Sequence, residues 1–323
     1  MWEFIEPYRQ KIERFLREID FSDKPSGLYE PVRYMLGLGG KRVRPVLSLI
    51  AAEGYGIPTD LAMPAAAALE IFHNFTLVHD DIMDRAPLRR GKPAVHKRWN
   101  LPVAVLAGDV MVFLSQKFLE SYSDNIFASL QRLLNRTAIE ICEGQQLDMD
   151  FERRTKVSTQ RYTEMIRKKT AVLLGTALQY GGILASKTRD EQQLLHSAGT
   201  QLGLAFQIAD DYLDSFGPEK FGKQRGGDIR EGKKTFLYVK LFPKLPPDKK
   251  ENFVRLYQKP DKTEEEVETV IQLFKEYNIP LIARKAVEEH TRQFTDLINS
   301  TTLAPEAKHT LIHLADVLAR RTV

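Results

Sequence analysis

Apolar residues recur at three- and four-residue spacing along almost the whole chain. This spacing gives an α-helix a continuous apolar face, whereas a half-buried β-strand needs apolar residues at alternate positions. Alternating β-branched runs are missing, so strands are not expected. Segments such as residues 59–84 and 200–214 are long and mostly apolar, as the buried helices of a bundle must be. The sequence therefore predicts an all-α fold.

Composition narrows the class of protein. The 323 residues are 43% hydrophobic and 28% charged, which is typical of a globular protein and excludes disorder as the main state. The net charge of +4 is small and no basic stripe is present, so no nucleic-acid partner is expected. Because no linker or tandem repeat interrupts the chain, we predict one domain covering residues 1–323.

The cysteine content and the N-terminal segment indicate the cellular compartment in which the protein is expected. Cys142 is the only cysteine, which excludes an intramolecular disulfide and a cysteine metal cluster. Residues 1–19 are amphipathic and highly charged, without the apolar core or cleavage site of a signal peptide. No window of uncharged apolar residues approaches the length of a membrane span. We therefore expect a cytoplasmic protein without a membrane anchor.

Two acidic motifs with the same spacing, Asp-Asp-x-x-Asp, each follow an apolar run: VHDDIMD at residues 78–84 and IADDYLD at residues 208–214. Positions i and i+4 of a helix lie on nearly the same face, about 6 Å apart along the axis. The motifs therefore provide two pairs of carboxylates, namely Asp80 with Asp84 and Asp210 with Asp214.

Both motifs are expected near helix C-termini, because Pro87 follows one and Gly217 with Pro218 follows the other. The helix dipole is negative there, so each anion loses roughly 0.3–1 kcal/mol and a cation must compensate. Oxygen ligands of this kind suit Mg²⁺. The middle residues, Asp81 and Asp211, point about 100° away and are interpreted as supports for metal-bound water. A single motif could equally be a solvated helix end balanced by arginine, but the duplication favours a metal site.

Basic residues cluster at the Gly- and Pro-rich breaks between the predicted helices. Lys41, Arg42 and Arg44 follow a glycine pair, where exposed N–H groups and cationic side chains can hold a diphosphate. Arg89 and Arg90 come shortly after the first acidic motif. The loop after the second motif is also basic, and Lys220 and Lys234 are expected to be merely solvated there. Its cations are Lys220, Lys223, Arg225, Arg230, Lys233 and Lys234.

Taken in order, these motifs resemble those of trans-isoprenyl diphosphate synthases of the polyprenyl synthetase family. The similarity runs nearly end to end, through GGKRVRP, HDDIMD, PLRRGKPAVH, EGQQLDMD, KKTAVLLG, FQIADDYLD and GKQRGGDIREGKKT. The resemblance implies a helical bundle around a deep apolar cavity, with the two acidic motifs facing each other across its mouth, and a homodimer. It also implies condensation of isopentenyl diphosphate with an allylic diphosphate: dimethylallyl, geranyl or farnesyl diphosphate.

The resemblance gives individual residues a role. Three Mg²⁺ ions, with Mn²⁺ as an expected substitute, would be ligated by Asp80, Asp84, Asp210 and Asp214. The allylic diphosphate would be contacted by Arg89, Lys169 and Lys223, with Lys233 as a further substrate contact. Isopentenyl diphosphate would be held by Lys41, Arg44, His73 and Arg90. The allylic cation would face the Lys169 carbonyl, the Thr170 hydroxyl and Gln207, and the allylic site would be supported by Gln145 and Asp148.

Product length in this family depends on residues shortly before the first aspartate, which here are Phe72, Phe75 and Thr76. One aromatic residue followed by a small threonine resembles the geranylgeranyl pattern more than the farnesyl pattern with paired aromatics. We therefore favour geranylgeranyl diphosphate as the product and farnesyl diphosphate as the alternative. The following helix could add bulk from Met111 or Phe113, and the sequence does not say which of them points inward.

Three other functions fit part of the pattern. A class I terpene cyclase shares the first acidic motif but has a different second metal motif and no need of GGKRVRP. An HD-type metal phosphohydrolase is suggested by His79 next to Asp80, yet the other histidines lack helical spacing to that pair. A non-catalytic subunit of a heteromeric synthase would be expected to lack one acidic motif, and this chain has both.

Overall fold

The computed structural model describes residues 2–21, 24–217 and 225–319, and most of these are helical. The all-α prediction is therefore confirmed. Helices up to and including the second acidic motif are α1 (Glu6–Glu18), α2 (Ser26–Gly37), α3 (Val43–Glu53), α4 (Thr59–Met83), α5 (Val95–Arg98), α6 (Leu101–Leu119), α7 (Asp124–Glu152), α8 (Thr159–Ile166), α9 (Val172–Leu184) and α10 (Arg189–Phe216). Those that follow are α11 (Gly227–Glu231), α12 (Phe236–Leu241), α13 (Pro247–Gln258), α14 (Glu264–Glu276), α15 (Ile279–Ser300) and α16 (Pro305–Ala319).

The helices belong to two compact units, each with its own buried core. The first unit consists of Met1–Asn135, Ala177–Gln193 and Thr302–Leu311. The second consists of Arg136–Thr176, Leu194–Thr301 and Ile312–Val323.

Helix α4 forms the centre of the first unit. Its alanine run, Ala65 to Ala68, is buried, as expected for a helix that is apolar around most of its circumference. The helix ends at Met83, where the N–H of the C-capping residue Asp84 donates to the Asp80 carbonyl at 2.8 Å and the N–H of Arg85 donates to the Ile82 carbonyl at 3.2 Å. The first acidic motif therefore lies at a helix C-terminus, as the sequence predicted.

The second unit has an aromatic core around Tyr238. Its ring centroid lies 4.6 Å from that of Tyr257 and 5.3 Å from that of Phe253. Helix α14 begins with the capping box Thr263 and Glu266, in which each side chain accepts a hydrogen bond from the other residue's backbone N–H. Helix α10 ends at Phe216, so the second acidic motif also lies at a helix C-terminus.

A short hairpin in the first unit departs from the all-helical pattern. Strands β1 (Leu88–Arg89) and β2 (Lys92–Pro93) pair antiparallel. The two loop residues are Arg90, with φ 52°, and Gly91, with φ 75°. A type I′ turn needs positive φ at both central positions, and this turn fixes the place of the two arginines that follow the first acidic motif.

Two helices are long and apolar enough to cross a membrane by length and composition alone. They are Thr59–Met83, whose most apolar window is 67% buried, and Leu101–Leu119, whose window is 28% buried. Neither helix offers an uncharged window of this length, because Glu70 interrupts the first and Asp109 and Lys117 interrupt the second. One or two such helices are weak evidence for a membrane span, because mostly buried core helices pass the same test.

Candidate active site

The first acidic motif divides its three carboxylates between two environments. Asp80 is half-buried and Asp84 is exposed, one helical turn apart at the end of α4. Asp81 is buried, and the Arg89 guanidinium donates to both of its oxygens, with Nε 3.0 Å from Oδ1 and 3.1 Å from Oδ2. Burial raises the pKa of the Asp81 carboxyl, although the Arg89 charge acts in the opposite direction. Asp81 thus holds an arginine in place.

The second motif repeats this arrangement with different partners. Asp211 is buried and accepts hydrogen bonds from the Tyr162 hydroxyl at 2.5 Å, the Phe236 backbone N–H at 2.7 Å and the Gln207 amide at 3.0 Å. Burial raises the pKa of Asp211 to about 6. Tyr162 and Phe236 were not identified from the sequence, because no local pattern links them to a motif far along the chain.

The last aspartate of the second motif also organises the segment after it. The Asp214 carboxylate accepts from the backbone N–H of Asp228 at 3.1 Å, and the Asp214 carbonyl accepts from the N–H of Gly226 at 2.8 Å. These bonds tie the start of α11 to the end of α10. Burial, followed by the charge of Asp214, raises the pKa of the Asp228 carboxyl well above its ordinary value.

A π-helical segment, Arg167–Ala171, joins α8 to α9 and carries two of the residues assigned by resemblance. The Thr170 hydroxyl donates to Gln207 Oε1 at 2.9 Å, and Gln207 in turn donates to Asp211. The Lys169 ammonium lies 2.6 Å from Asp148 Oδ2. The second unit therefore brings together Lys169, Thr170, Gln207 and the second acidic motif, with Asp148 as an orienting carboxylate. π-Helical turns are rare in proteins overall, and those that occur are often found at functional sites.

The Gly-Gly loop of the first unit carries the second predicted set of ligands. Arg44 Nη1 lies 3.0 Å from His73 Nε2. Burial, together with the charges of Arg44 and Arg90, holds the pKa of His73 well below its ordinary value, so its neutral ring accepts from Arg44. Arg90 donates to the Gly39 carbonyl. Gly40 has φ 142°, a backbone conformation that residues with a side chain rarely adopt, which explains why glycine occupies this position.

Two predictions about basic residues were wrong. Arg42 does not extend towards a ligand, because its guanidinium is fully buried against Glu70 and Glu13. Lys234 is not solvated: it is buried, donates to the Gly232 carbonyl at 2.8 Å and lies over the ring of Tyr238. In both cases the sequence shows the charge but not the partner that turns it inward.

Other basic residues of the loop have protein partners or lie outside the described structure. Lys233 pairs with Glu231 at 2.9 Å, and Arg230 pairs with Glu264 at 2.6 Å. The predicted ligand Lys223 lies outside the described residues, as does Lys220.

The predicted chain-length residues lie on the part of α4 that precedes the first acidic motif. Phe72 is buried, and its ring meets that of Phe75 edge to face at 5.4 Å. Phe75 meets His79 in the same way at 4.9 Å. Thr76 is half-buried and its hydroxyl donates to the His73 carbonyl at 2.8 Å. These aromatic side chains form one continuous ladder.

The structure also distinguishes the two candidate residues of α6. Met111 is fully buried, whereas Phe113 is 68% exposed. Met111 is therefore the residue of this pair that adds bulk inside the first unit. Helix α6 lies close to α4 at Gly108, which has no Cβ. A Cβ at this position would lie only 2.2 Å from His79 Nε2.

The carboxylates fit the chemistry of Mg²⁺ without forming a closed cage. Within the described ranges, no three His, Cys, Asp or Glu side chains are grouped closely enough to hold an ion by themselves. Mg²⁺ is usually bound by one or two protein carboxylates, with waters and substrate phosphates completing the octahedron. Two outer carboxylates per motif, with the middle one already paired to protein groups, agree with such a site.

Comparisons with known proteins show to which family the chain is related. The polyprenyl synthetase family model matches residues 25–274. A geranylgeranyl pyrophosphate synthase of Geoglobus acetivorans is 38% identical over 317 residues, covering 97% of this chain and 95% of that protein. A geranylgeranyl diphosphate synthase of Methanosarcina mazei is 43% identical over 224 residues, covering 68% and 69% of the two chains.

The fold agrees as well. A crystal structure of a geranylgeranyl pyrophosphate synthase superposes with a TM-score of 0.92 at 42% identity, covering 99% of both chains. The family match extends from before the Gly-Gly loop to beyond the basic loop and so includes both acidic motifs and the π-helical segment. The chain belongs to the polyprenyl synthetase family.

Proposed function

We propose that the chain is a trans-prenyltransferase that condenses isopentenyl diphosphate with an allylic diphosphate to give geranylgeranyl diphosphate. The observation that carries this proposal is the hydrogen-bonded series Thr170, Gln207 and Asp211 beside Lys169 in the second unit. It places a hydroxyl, an amide and a lysine next to a pair of outer carboxylates. These are the groups that ionisation of an allylic diphosphate requires.

The allylic diphosphate is bound by cations whose orientation the protein fixes. Arg89 is held by Asp81 and Lys169 by Asp148, and Lys233 and Lys223 are the further ligands assigned by resemblance. Mg²⁺, with three ions expected and Mn²⁺ as a substitute, would be held by the outer carboxylates and would supply charge neutralisation of the diphosphate. The holding residues are Asp80, Asp84, Asp210 and Asp214.

The first step breaks the allylic C–O bond, and its electron pair leaves with diphosphate. Arg89 and Lys169 stabilise the negative charge that develops on the departing oxygens. The remaining allylic cation is met by the Lys169 carbonyl, the Thr170 hydroxyl and the Gln207 amide oxygen, each an electron-rich group. Because the Thr170 and Gln207 side chains are already hydrogen-bonded to each other, little reorganisation is needed at the moment of reaction.

The second substrate, isopentenyl diphosphate, is held by the Gly-Gly loop of the first unit. Lys41, Arg44 and Arg90 supply positive charge, and neutral His73 orients Arg44. The isopentenyl double bond attacks the allylic carbon and forms the new C–C bond. A proton then leaves the adjacent carbon, and the released diphosphate accepts it. Because diphosphate accepts this proton, no side-chain base is required.

Geranylgeranyl diphosphate is the favoured product and farnesyl diphosphate the alternative. The aromatic ladder of Phe72 and Phe75, with Met111 on the next helix, provides bulk that limits a growing chain. Dimethylallyl, geranyl and farnesyl diphosphates are the proposed allylic substrates. The two relatives described above carry geranylgeranyl names, which supports this choice.

We further propose that residues 1–323 act as one domain and that two copies form a homodimer in the cytoplasm. Helix α6 supports the homodimer, since its exposed residues include Leu101, Val105, Leu106 and Phe113. A membrane is a poorer partner for this face, because the side chain of Asp109 lies among these residues and is 54% exposed. A second copy that offers the same face would bury it.

Product analysis tests the proposal. The purified protein is incubated with isopentenyl diphosphate, Mg²⁺ and each allylic diphosphate in turn, and the dephosphorylated alcohols are separated by chromatography. Geranylgeraniol is the expected main product. A cyclic hydrocarbon would indicate a terpene cyclase, and release of phosphate without chain growth would indicate a phosphohydrolase. No turnover until another protein is added would indicate a non-catalytic subunit.

A further inference from the structure

Arg42 is a buried cation that the proposed reaction does not use. It precedes α3 in a left-handed conformation, with φ 52° and ψ 34°, which is uncommon for a residue with a side chain. This conformation turns the guanidinium inward, where it donates to Glu70 Oε1 at 2.5 Å, Glu13 Oε1 at 2.7 Å and the Leu36 carbonyl at 2.6 Å. Its charge is therefore fully engaged inside the first unit.

Glu70 is the matching buried anion. It lies on α4 with 2% of its surface exposed, and it also accepts from the Asn74 amide at 3.0 Å. Three residues further along the same helix, His73 accepts from Arg44. Helix α4 thus contacts the start of α3 at two neighbouring points, through the pair of Glu70 with Arg42 and the pair of His73 with Arg44.

Arginines donate to carbonyl groups of the last turn of α2 and of the loop between α2 and α3. Arg42 donates to the Leu36 carbonyl and Arg90 donates to the Gly39 carbonyl. Arg9 Nη2 donates to the Gly40 carbonyl at 3.4 Å. In a trans peptide the N–H points opposite to the carbonyl. The backbone N–H groups of Gly40 and Lys41 are therefore turned away from the arginines that hold this loop.

We propose that Glu70 is a positioning residue: by anchoring Arg42, it shapes the loop that presents Lys41, Arg44 and these N–H groups to the diphosphate of isopentenyl diphosphate. This inference rests on the function proposed above. Stability alone does not account for the pair, because a buried ion pair can often be replaced by apolar residues of similar size without loss of stability. Removing only one partner, by contrast, leaves an uncompensated buried charge.

The test separates positioning from folding. Glu70→Leu and Arg42→Met are made singly and together, and thermal unfolding, kinetics with each substrate varied, and calorimetric titration with isopentenyl diphosphate alone are measured. The single variants should unfold at lower temperature, and the double variant should recover most of the loss. The double variant should still bind isopentenyl diphosphate at least tenfold more weakly, with kcat and the KM of the allylic substrate changed less than threefold.

Glu191→Gln is the matched control. Glu191 is another buried carboxylate of the first unit, and it accepts from Tyr55 and Thr302. This variant should lower stability and leave the affinity for isopentenyl diphosphate unchanged. Glu70→Gln keeps the side-chain volume and decides the question if the double variant does not fold, since it should weaken isopentenyl diphosphate binding about threefold to tenfold.

Wild-type affinity for isopentenyl diphosphate in the folded double variant, or in Glu70→Gln, would overturn the inference. So would an equal rise in both KM values, because that would mean a general disturbance. A wild-type protein that makes no prenyl product would instead contradict the proposed function, so the two failures are distinguishable.

Discussion

The backbone nitrogen of Lys169 lies 2.3 Å from the point that a Cβ on Gly144 would occupy. Helix α7 therefore approaches the π-helical segment as closely as a glycine allows. The same helix supplies Asp148, one turn later, which pairs with the Lys169 side chain. Gly144 and Asp148 together fix both the backbone and the ammonium group of Lys169.

Gly144→Ala should push the π-helical segment away from α7. Overpacking of this kind costs about 1–3 kcal/mol of unfolding free energy, and misplacing the Lys169 carbonyl by about 1 Å should lower kcat roughly 10²-fold. Unfolding curves and steady-state kinetics measure both effects. Gly27→Ala is the control, because a Cβ there has no atom within 4 Å. Normal kinetics in Gly144→Ala would show that the close contact does not matter for turnover.

Both acidic motifs should be required for activity. Asp80→Ala or Asp210→Ala removes a carboxylate assigned to Mg²⁺, and losing one stabiliser of developing charge typically costs about 10²–10³ in kcat. Stability should stay level or rise, since repulsion between like charges one turn apart is relieved. Initial rates with and without a chelator, alongside unfolding curves, provide the measurement. Near-normal turnover in either variant would contradict the assignment.

Truncation of the aromatic ladder should lengthen the product. Phe72→Ala with Phe75→Ala opens volume next to a growing chain, and Met111→Ala should act in the same direction because this side chain is buried. Phe113→Ala is the matched comparison on α6, since Phe113 is exposed and should leave product length unchanged. Chromatography of the dephosphorylated alcohols decides between them. If the double phenylalanine variant gives the wild-type product, the ladder does not set product length.

The exposed face of α6 should carry the homodimer. Leu106→Asp with Phe113→Asp places two charges in an apolar contact, and desolvating them should prevent association. Sedimentation equilibrium should then give the mass of a monomer. Leu281→Asp is the control, because Leu281 is 53% exposed on α15 and should not affect the mass. Retention of a dimer by the α6 variant would place the interface elsewhere.

Acid stability should depend on His196. Burial, followed by the charge of Arg136, lowers the pKa of His196 to about 4, so the folded protein binds its proton less readily than the unfolded chain does. The resulting stability is present above the unfolded pKa of about 6.5 and is lost as pH falls towards 4, by at most about 3 kcal/mol. His196→Leu should therefore lose less stability between pH 7 and pH 5 than the wild type does. Denaturant unfolding at both pH values measures this difference, and equal losses would contradict it.

The sequence predicted the features that depend on local pattern. Helix α4 ends at its acidic motif, as the nearby Pro87 predicted, and the capping box of Thr263 and Glu266 is a short-range signal. The roles of Asp81, Asp211 and Arg42 were not predictable in the same way. Each depends on a partner brought near by the fold, such as Tyr162 for Asp211. Local spacing shows that a carboxylate is present but not which donor it meets.

The π-helical segment was beyond sequence reasoning for a different reason. Residues 167–171 continue an ordinary helical pattern, and this pattern does not show that Gly144 of α7 lies close to their backbone. The hairpin is an intermediate case. Gly91 is a residue typical of turns, so the turn could be expected from the sequence. The strands could not, because two residues are too few to show the alternation of apolar and polar side chains.

Helix α4 is a rigid spacer between two parts of the chemistry. Glu70, which anchors the Gly-Gly loop through Arg42, and Asp80, which begins the first acidic motif, are ten positions apart on one continuous helix, or about 15 Å along the axis. One inserted residue would lengthen this interval by about 1.5 Å and rotate Asp80 by about 100°. The number of residues in this interval therefore sets the distance and the relative orientation of the proposed isopentenyl diphosphate site and the proposed metal ligand Asp80.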